Sequence, residues 1–169
     1  MTMRSTLVSL TAVAVLAHAL PSRCPAQAST QSPALMALPV TITAADSAAI
    51  RATALDYIEG WYAGDGDRMA RALHPELAKR NVTTDAQGGG RSRLIQMSAM
   101  SLVNGTRAGG GTRIPEAARK RDVKILDAYA GAASVRVGAA TWVDYMHMAK
   151  FNGRWVIVNV LWENEPPNP

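Results

Sequence analysis

The chain has 169 residues and carries 18 Lys and Arg against 13 Asp and Glu, a formal charge of +5. Its one cysteine, Cys24, excludes an internal disulfide and a thiolate metal cluster. Apolar residues make up 48% of the chain, but no run reaches the roughly 20 residues that span a bilayer as a clean helix, so the composition fits one domain with a real core.

Arg4, the mostly apolar run Leu7 to Leu20 and the triplet Ala26-Gln27-Ala28 read as an export signal over residues 1–28. Cleavage after Ala28 leaves 141 residues, no cysteine and a charge of +3. A cysteine-free mature chain suits an oxidising compartment. The expectation is a periplasmic or secreted protein with no membrane attachment once the signal is removed. Residues 29–42, rich in Ser, Ala, Gln and Pro, read as a disordered linker. The domain is expected over 43–163, followed by a disordered tail at 164–169.

Thr43-Ala-Ala-Asp46 is a capping box. Ile50, Ala54, Tyr57, Ile58 and Trp61 then form a helical stripe, which Gly64 ends. Asp65 or Asp67 caps a second, short helix with Met69, Ala72 and Leu73 on one face. Pro75 ends it at His74. A short strand is expected over Leu77 to Thr83 and a loop at Gly88-Gly89-Gly90. This triplet lacks dinucleotide-binding or P-loop spacing, and no cofactor is expected. Ser92 caps a predicted third helix carrying Leu94, Ile95, Met97, Ala99 and Leu102, ending near Asn104-Gly105. The loop that follows is rich in glycine and arginine. Between Arg91 and Arg121 stand six arginines and Lys120 against Glu116 alone, with no aromatic to stack on a base. The tract reads as a solvated loop or an attractor of anions, and no nucleic-acid partner is expected.

From Asp122 the apolar period changes to two. Val123 to Tyr129 is a strand and Ala130-Gly131 a turn. Ala132 to Lys150 is one long strand, kinked at Gly138-Ala139-Ala140, and Arg154 to Glu163 is the last strand. Asn152-Gly153 is a two-residue hairpin turn. Counting back from Phe151 opposite Arg154 puts Met148 opposite Ile157, Met146 opposite Asn159 and Asp144 opposite Leu161. One face then holds Trp142, Asp144, Met146, Met148, Trp155, Ile157, Asn159 and Leu161. The other holds Val143, Tyr145, His147, Ala149, Val156, Val158, Val160 and Trp162. Both faces are largely apolar, so one is expected to pack the helices and the other a partner subunit, unless the sheet curls around a cavity.

The run Leu55 to Asp65, with Asp56-Tyr57-Ile58-Glu59-Gly60-Trp61-Tyr62 at its centre, the run Met69 to Arg80, and the hairpin from Trp142 to Trp162 resemble the putative lumazine-binding family of the NTF2-like superfamily. The resemblance covers Thr43 to Glu163. It implies an α+β fold of the cystatin/NTF2-like type: a cone in which a curved antiparallel sheet wraps around the N-terminal helices. It also implies a pocket at the open end and often a homodimer. It implies no reaction, because the superfamily holds dehydratases, isomerases, cyclases and non-enzymatic binding domains. The glycine-rich, arginine-bearing loop departs from the family pattern at the pocket rim.

Asp144 and His74 are the catalytic candidates. Asp144, mid-strand among apolar neighbours, is partly desolvated, which suits a general base. Its alternative is a structural acid bonded to backbone or to Arg136. His74 lies near the pocket mouth of such cones, or simply complements a helix terminus. His147 leaves the Asp144 face, which argues against a dyad unless a bulge shifts the parity. The ligand-binding candidates are Tyr57, Trp61, Tyr62, Trp142, Met146, Trp155 and Asn159, each with a core or sheet role as its alternative. No compact ligand spacing marks a zinc site. The leading expectation is an exported domain that binds a small organic molecule, a flat heteroaromatic one being a candidate, in its cone. The alternatives are a dehydratase- or isomerase-like enzyme using Asp144 and a structural homodimer, paired through the sheet, with a filled cone.

Overall fold

The computed structural model describes residues 42–85 and 89–166. The export signal and nearly all of the expected linker lie outside them, as do the last three residues of the tail. Helix α1 (Ala44–Ala63) starts at its expected cap: Thr43 Oγ1 accepts the Asp46 amide at 3.0 Å and donates to Asp46 Oδ2 at 2.8 Å. Gly64 ends it in the left-handed conformation, φ 71°. The stripe Ile50, Ala54, Tyr57 and Ile58 is buried, and Trp61 packs partly buried against it. Helix α2 (Gly66–Ala72) is capped by Asp65, whose Oδ1 accepts the Asp67 and Arg68 amides.

Helix α2 stops before the expected His74, because the chain passes directly into strand β1 (Leu73–Asp85). Pro75 falls between Leu73 and Ala78, where β1 has no ladder partner on the last strand, so its missing N–H breaks no ladder bond. The expected third helix is corrected in its first half. Residues Arg91–Ser98 form strand β2, and α3 (Ala99–Arg107) is capped by Ser98 instead of Ser92. Leu94, Ile95 and Met97 have helical spacing, but pairing with β1 overrides it. This is an edge strand exposed along almost its whole length, so burial imposes no alternation on it.

Strand β3 (Asp122–Tyr129) turns at Ala130-Gly131 into β4 (Ala132–Gly138). The single kinked strand expected over Ala132 to Lys150 is two strands. The chain reverses after Gly138, where the Ala139 amide bonds the Trp142 carbonyl at 2.9 Å, and returns as β5 (Trp142–Phe151). Asn152 (φ 50°) and Gly153 (φ 79°) make the expected two-residue turn into β6 (Arg154–Asn164). Beyond it, Glu165 pairs with Lys120 at 2.7 Å, so the tail is tied down at its first residues. The sheet order is β2-β1-β6-β5-β4-β3. All neighbours are antiparallel except β1 and β6, which are parallel, so the curved sheet is mixed rather than wholly antiparallel.

The hairpin register holds for its first four pairs, down to Met148 opposite Ile157, and then slips. Val158 is a bulged residue: His147 pairs with Asn159, Tyr145 with Leu161, Met146 with Val160 and Asp144 with Trp162. Asn159 and Leu161 therefore do not share the face of Asp144, and Trp162 does. Because the extra residue sits on β6, His147 still leaves that face.

At the turn end of the hairpin, Asp46 fastens α1 to the sheet. Its Oδ1 accepts from Lys150 Nζ at 2.7 Å and Trp155 Nε1 at 2.9 Å. Hydrogen bonds from Lys150, Trp155 and Thr43 hold its carboxyl far below the usual carboxylate range. A depressed acid stabilises the fold above its unfolded value near 3.8 and loses that contribution as the pH falls toward the folded value. Asp46→Asn is therefore expected to lower the unfolding midpoint at neutral pH by several degrees, and to lose less than wild type on acidification to about pH 2.5. Thermal melts at both pH values check this; parallel acid losses in the two proteins would exclude the role.

Candidate functional site

Three strands and one helix converge on a buried charge pair. Lys79 of β1 faces Val160 of β6 in parallel register, and Trp162, two residues on, faces Asp144 of β5. Side chains two apart share a face, so Lys79, Trp162, Asp144 and Trp142 come together on the inner side of the sheet. Lys79 Nζ donates to Asp144 Oδ1 at 2.5 Å and to Tyr57 Oη of α1 at 2.6 Å. Trp142 Nε1 donates to Asp144 Oδ2 at 2.9 Å. Lys79 is 5% exposed and Asp144 0%. The ammonium also lies 5.2 Å from the Trp162 ring centroid.

Burial pulls the Lys79 ammonium below its usual value, and the Asp144 carboxylate opposes that pull. Burial first, then the charge of Asp144, raises the Tyr57 phenol well above its usual range, so it stays a neutral hydroxyl.

In front of this pair is a cavity of about 360 Å³, near the lower end of the range for small-molecule sites. Tyr57, Trp61, Trp142 and Trp162 supply aromatic wall, Leu102 and Ile114 supply aliphatic wall, and Lys79 is its one charged lining residue. Trp162 is partly buried, and its Nε1 is the one buried side-chain polar atom without a partner among the described residues. Such an orphaned donor costs about 1–3 kcal/mol.

The glycine-rich loop closes one side. A Cβ on Gly110 would lie 2.2 Å from Trp61 Cη2, and one on Gly111 2.4 Å from Trp61 Cδ1, so only glycine lets this backbone lie on the indole. The loop is held by its own hydrogen bonds, Gly110 N–H to Gly105 C=O at 3.0 Å among them. Its arginines are largely consumed: Arg119 caps the Ile114 and Thr112 carbonyls, Arg121 pairs with Glu116 at 2.8 Å, and Arg107 with Asp67 at 2.7 Å.

A family model described as "Putative lumazine-binding" matches residues 45–163. The chain belongs to the putative lumazine-binding family. Solved structures agree on the fold. An NTF2-like protein of unknown function from Methylobacillus flagellatus KT is 18% identical, with a TM-score of 0.57 over 76% of this chain and 99% of its own. One from Shewanella baltica OS155 is 19% identical, TM-score 0.56, over 75% and 98%. A protein of unknown function with a cystatin-like fold from Nostoc punctiforme PCC 73102 is 17% identical, TM-score 0.52, over 76% and 97%. At these identities they bear on the fold alone. No curated protein matches the chain.

In this member of the putative lumazine-binding family, three of the ligand-binding candidates, Tyr57, Trp61 and Trp142, line the cavity. Four other candidates stand elsewhere. Tyr62 is buried, its hydroxyl donating to the Lys120 carbonyl at 2.9 Å and accepting the Ala140 amide at 3.0 Å. Met146 is core, and Trp155 is core spent on Asp46. Asn159 is on the outer face, where its Oδ1 accepts from Arg80 at 3.1 Å. His74 stacks on Phe151 with centroids 4.5 Å apart, in a separate cleft with Pro75 and Asn152. Phe151 lies about 23 Å along β5 from Asp144, so the structure does not bring His74 and Asp144 together.

Sequence reasoning missed Lys79, Gly110 and the inward turn of Trp162. The alternation of Leu77, Lys79 and Asn81 was available, but Ala78, Arg80 and Val82 offer an equally mixed face. Among the described residues, no three His, Cys, Asp or Glu cluster to hold a metal, and no helix is long and apolar enough to cross a membrane.

Truncating one partner of a buried pair leaves an uncompensated charge. Lys79→Met and Asp144→Leu are each expected to destabilise by about 3–5 kcal/mol, and the double variant by much less than their sum. Denaturant unfolding of all four proteins in a double-mutant cycle checks this; additive losses would remove the pair as a unit.

Proposed function

We propose that this domain binds a small, flat aromatic or heteroaromatic molecule in the cavity before Lys79. The carrying observation is the combination of four aromatic rings with a single buried cation on one 360 Å³ cavity. Rigid rings present wide apolar area for stacking, and a few fixed polar groups set orientation. The family description points the same way. Proton transfer by Asp144 has less support: both oxygens are engaged, by Lys79 and Trp142, and the carboxylate is fully buried behind Lys79. A cone filled by its own side chains is opposed by the cavity itself.

Stability in the presence of one- to three-ring heteroaromatics tests the reading. A hit is expected to raise the melting temperature of wild type and to do so markedly less in Trp61→Ala. Silence of the folded wild type across a broad panel would end the proposal.

We further propose that the protein is exported and forms a homodimer. Arg4, the run Leu7 to Leu20 and Ala26-Gln27-Ala28 support export. Pairing through the sheet is supported by Tyr145 and Leu161, cross-strand partners that are 50% and 51% exposed on its outer face. Expression of the full chain is expected to yield a periplasmic or secreted product that begins at Ser29 and has twice the chain mass by light scattering. A cytoplasmic product would refute the export half, and a monomer the dimer half.

A further inference from the structure

We infer that the cavity selects a neutral flat aromatic bearing a hydrogen-bond acceptor, over the same ring system without the acceptor and over its carboxylate. The inference rests on the ligand-binding reading above and adds the chemical class of the ligand. It comes from counting donors, acceptors and charges on the cavity floor.

An ammonium has three N–H donors. Lys79 spends one on Tyr57 and one on Asp144, which leaves one. Trp162, whose ring lines the cavity, holds a fully covered indole N–H that nothing among the described residues accepts, and a ligand reaches it by tilting the ring. The floor is thus in donor surplus. Its buried acceptor is closed off, since Asp144 takes Lys79 on one oxygen and Trp142 on the other, and Asn164, the remaining polar lining residue, is exposed and carries a carboxamide that both donates and accepts. A ring carbonyl or ring nitrogen on the ligand is the group that matches this surplus.

Charge decides the rest. Lys79 is the cavity's one charged lining residue, and Asp144 at 2.5 Å already neutralises it. A carboxylate entering beside them would lose its water, meet a cation whose charge is taken, and face the Asp144 carboxylate directly behind it. Burying a third charge next to a satisfied pair is unfavourable. The basic side chains of the Arg91 to Arg121 tract do not line the cavity, and Arg107, Arg119, Lys120 and Arg121 are held by Asp67, Glu116, Glu165 and backbone carbonyls. A neutral acceptor takes the open donors without importing charge.

Three bicyclic probes separate the possibilities by calorimetric titration of the folded protein: naphthalene, 2-quinolone and 2-naphthoate. 2-Quinolone is expected to bind at least about fivefold tighter than naphthalene. 2-Naphthoate is expected to bind at least about tenfold more weakly than 2-quinolone. In Trp162→Phe, which keeps an aromatic wall but lacks the N–H, the quinolone-to-naphthalene ratio is expected to fall toward one. Equal binding of naphthalene and 2-quinolone would overturn the inference, and so would 2-naphthoate binding tightest; either leaves the ligand-binding reading standing. No binding of any probe to folded wild type would overturn both.

Discussion

The buried pair of Lys79 and Asp144 is the constraint around which the inner face is arranged. Taking two charges out of water is expensive, and the attraction between them offsets that only when the geometry is good and the remaining polar valences are filled. Here all but one of them are filled, from four directions. β1 brings the ammonium, β5 the carboxylate and the Trp142 donor, α1 the Tyr57 hydroxyl, and β6 the Trp162 ring face. Each partner is correct only if its element sits in one register. The pair thereby ties register to charge: a slip of β1 that put Ala78 in the place of Lys79 would leave Asp144 buried without its cation.

Much of the architecture is legible in the sequence, for reasons that are local. The Thr43 cap, the Gly64 stop and the Asn152-Gly153 turn are decided by backbone chemistry within a few residues. The stripe from Ile50 to Trp61 is decided by one buried helix face. What is not legible is decided by partners distant in sequence. β2 is a strand because β1 lies beside it. Gly138-Ala139-Ala140 is a reversal because β4 and β5 pair with each other, a fact that composition does not distinguish from a bend. The candidate site was half visible on the same principle. Aromatic residues on a helix announce themselves, whereas Lys79 gains its meaning only from Asp144, 65 positions away.

The glycine-rich loop shows how composition misleads about mobility. Gly109-Gly110-Gly111 reads as a flexible, solvated segment. Its glycines instead allow close approach: Gly110 and Gly111 lie on Trp61, where any side chain would collide. An indole pressed from one side by backbone cannot rotate freely into the cavity. The same contact explains how an apolar cavity stays open beside flexible residues such as Met97 and Leu102. Its walls are rings held by backbone on one side and by the ion pair on the other.

The candidate site depends finally on one extra residue in β6. At the turn end of the hairpin, Trp155 and Ile157 point inward and build the core with Met148, and Asp46 accepts the Trp155 indole N–H at its edge. A regular strand would go on to turn Asn159 and Leu161 inward, placing an amide and a leucine before Asp144. The bulge at Val158 resets the alternation, so Val160 and Trp162 turn inward and Asn159 goes to the outer face. The two halves of β6 thus serve different purposes with the same face. One half is bonded core at the Asp46 staple; the other is an aromatic wall with a spare donor. Bulges also bend and twist a strand more strongly, which suits a sheet that must curve around α1 while leaving space beside Lys79.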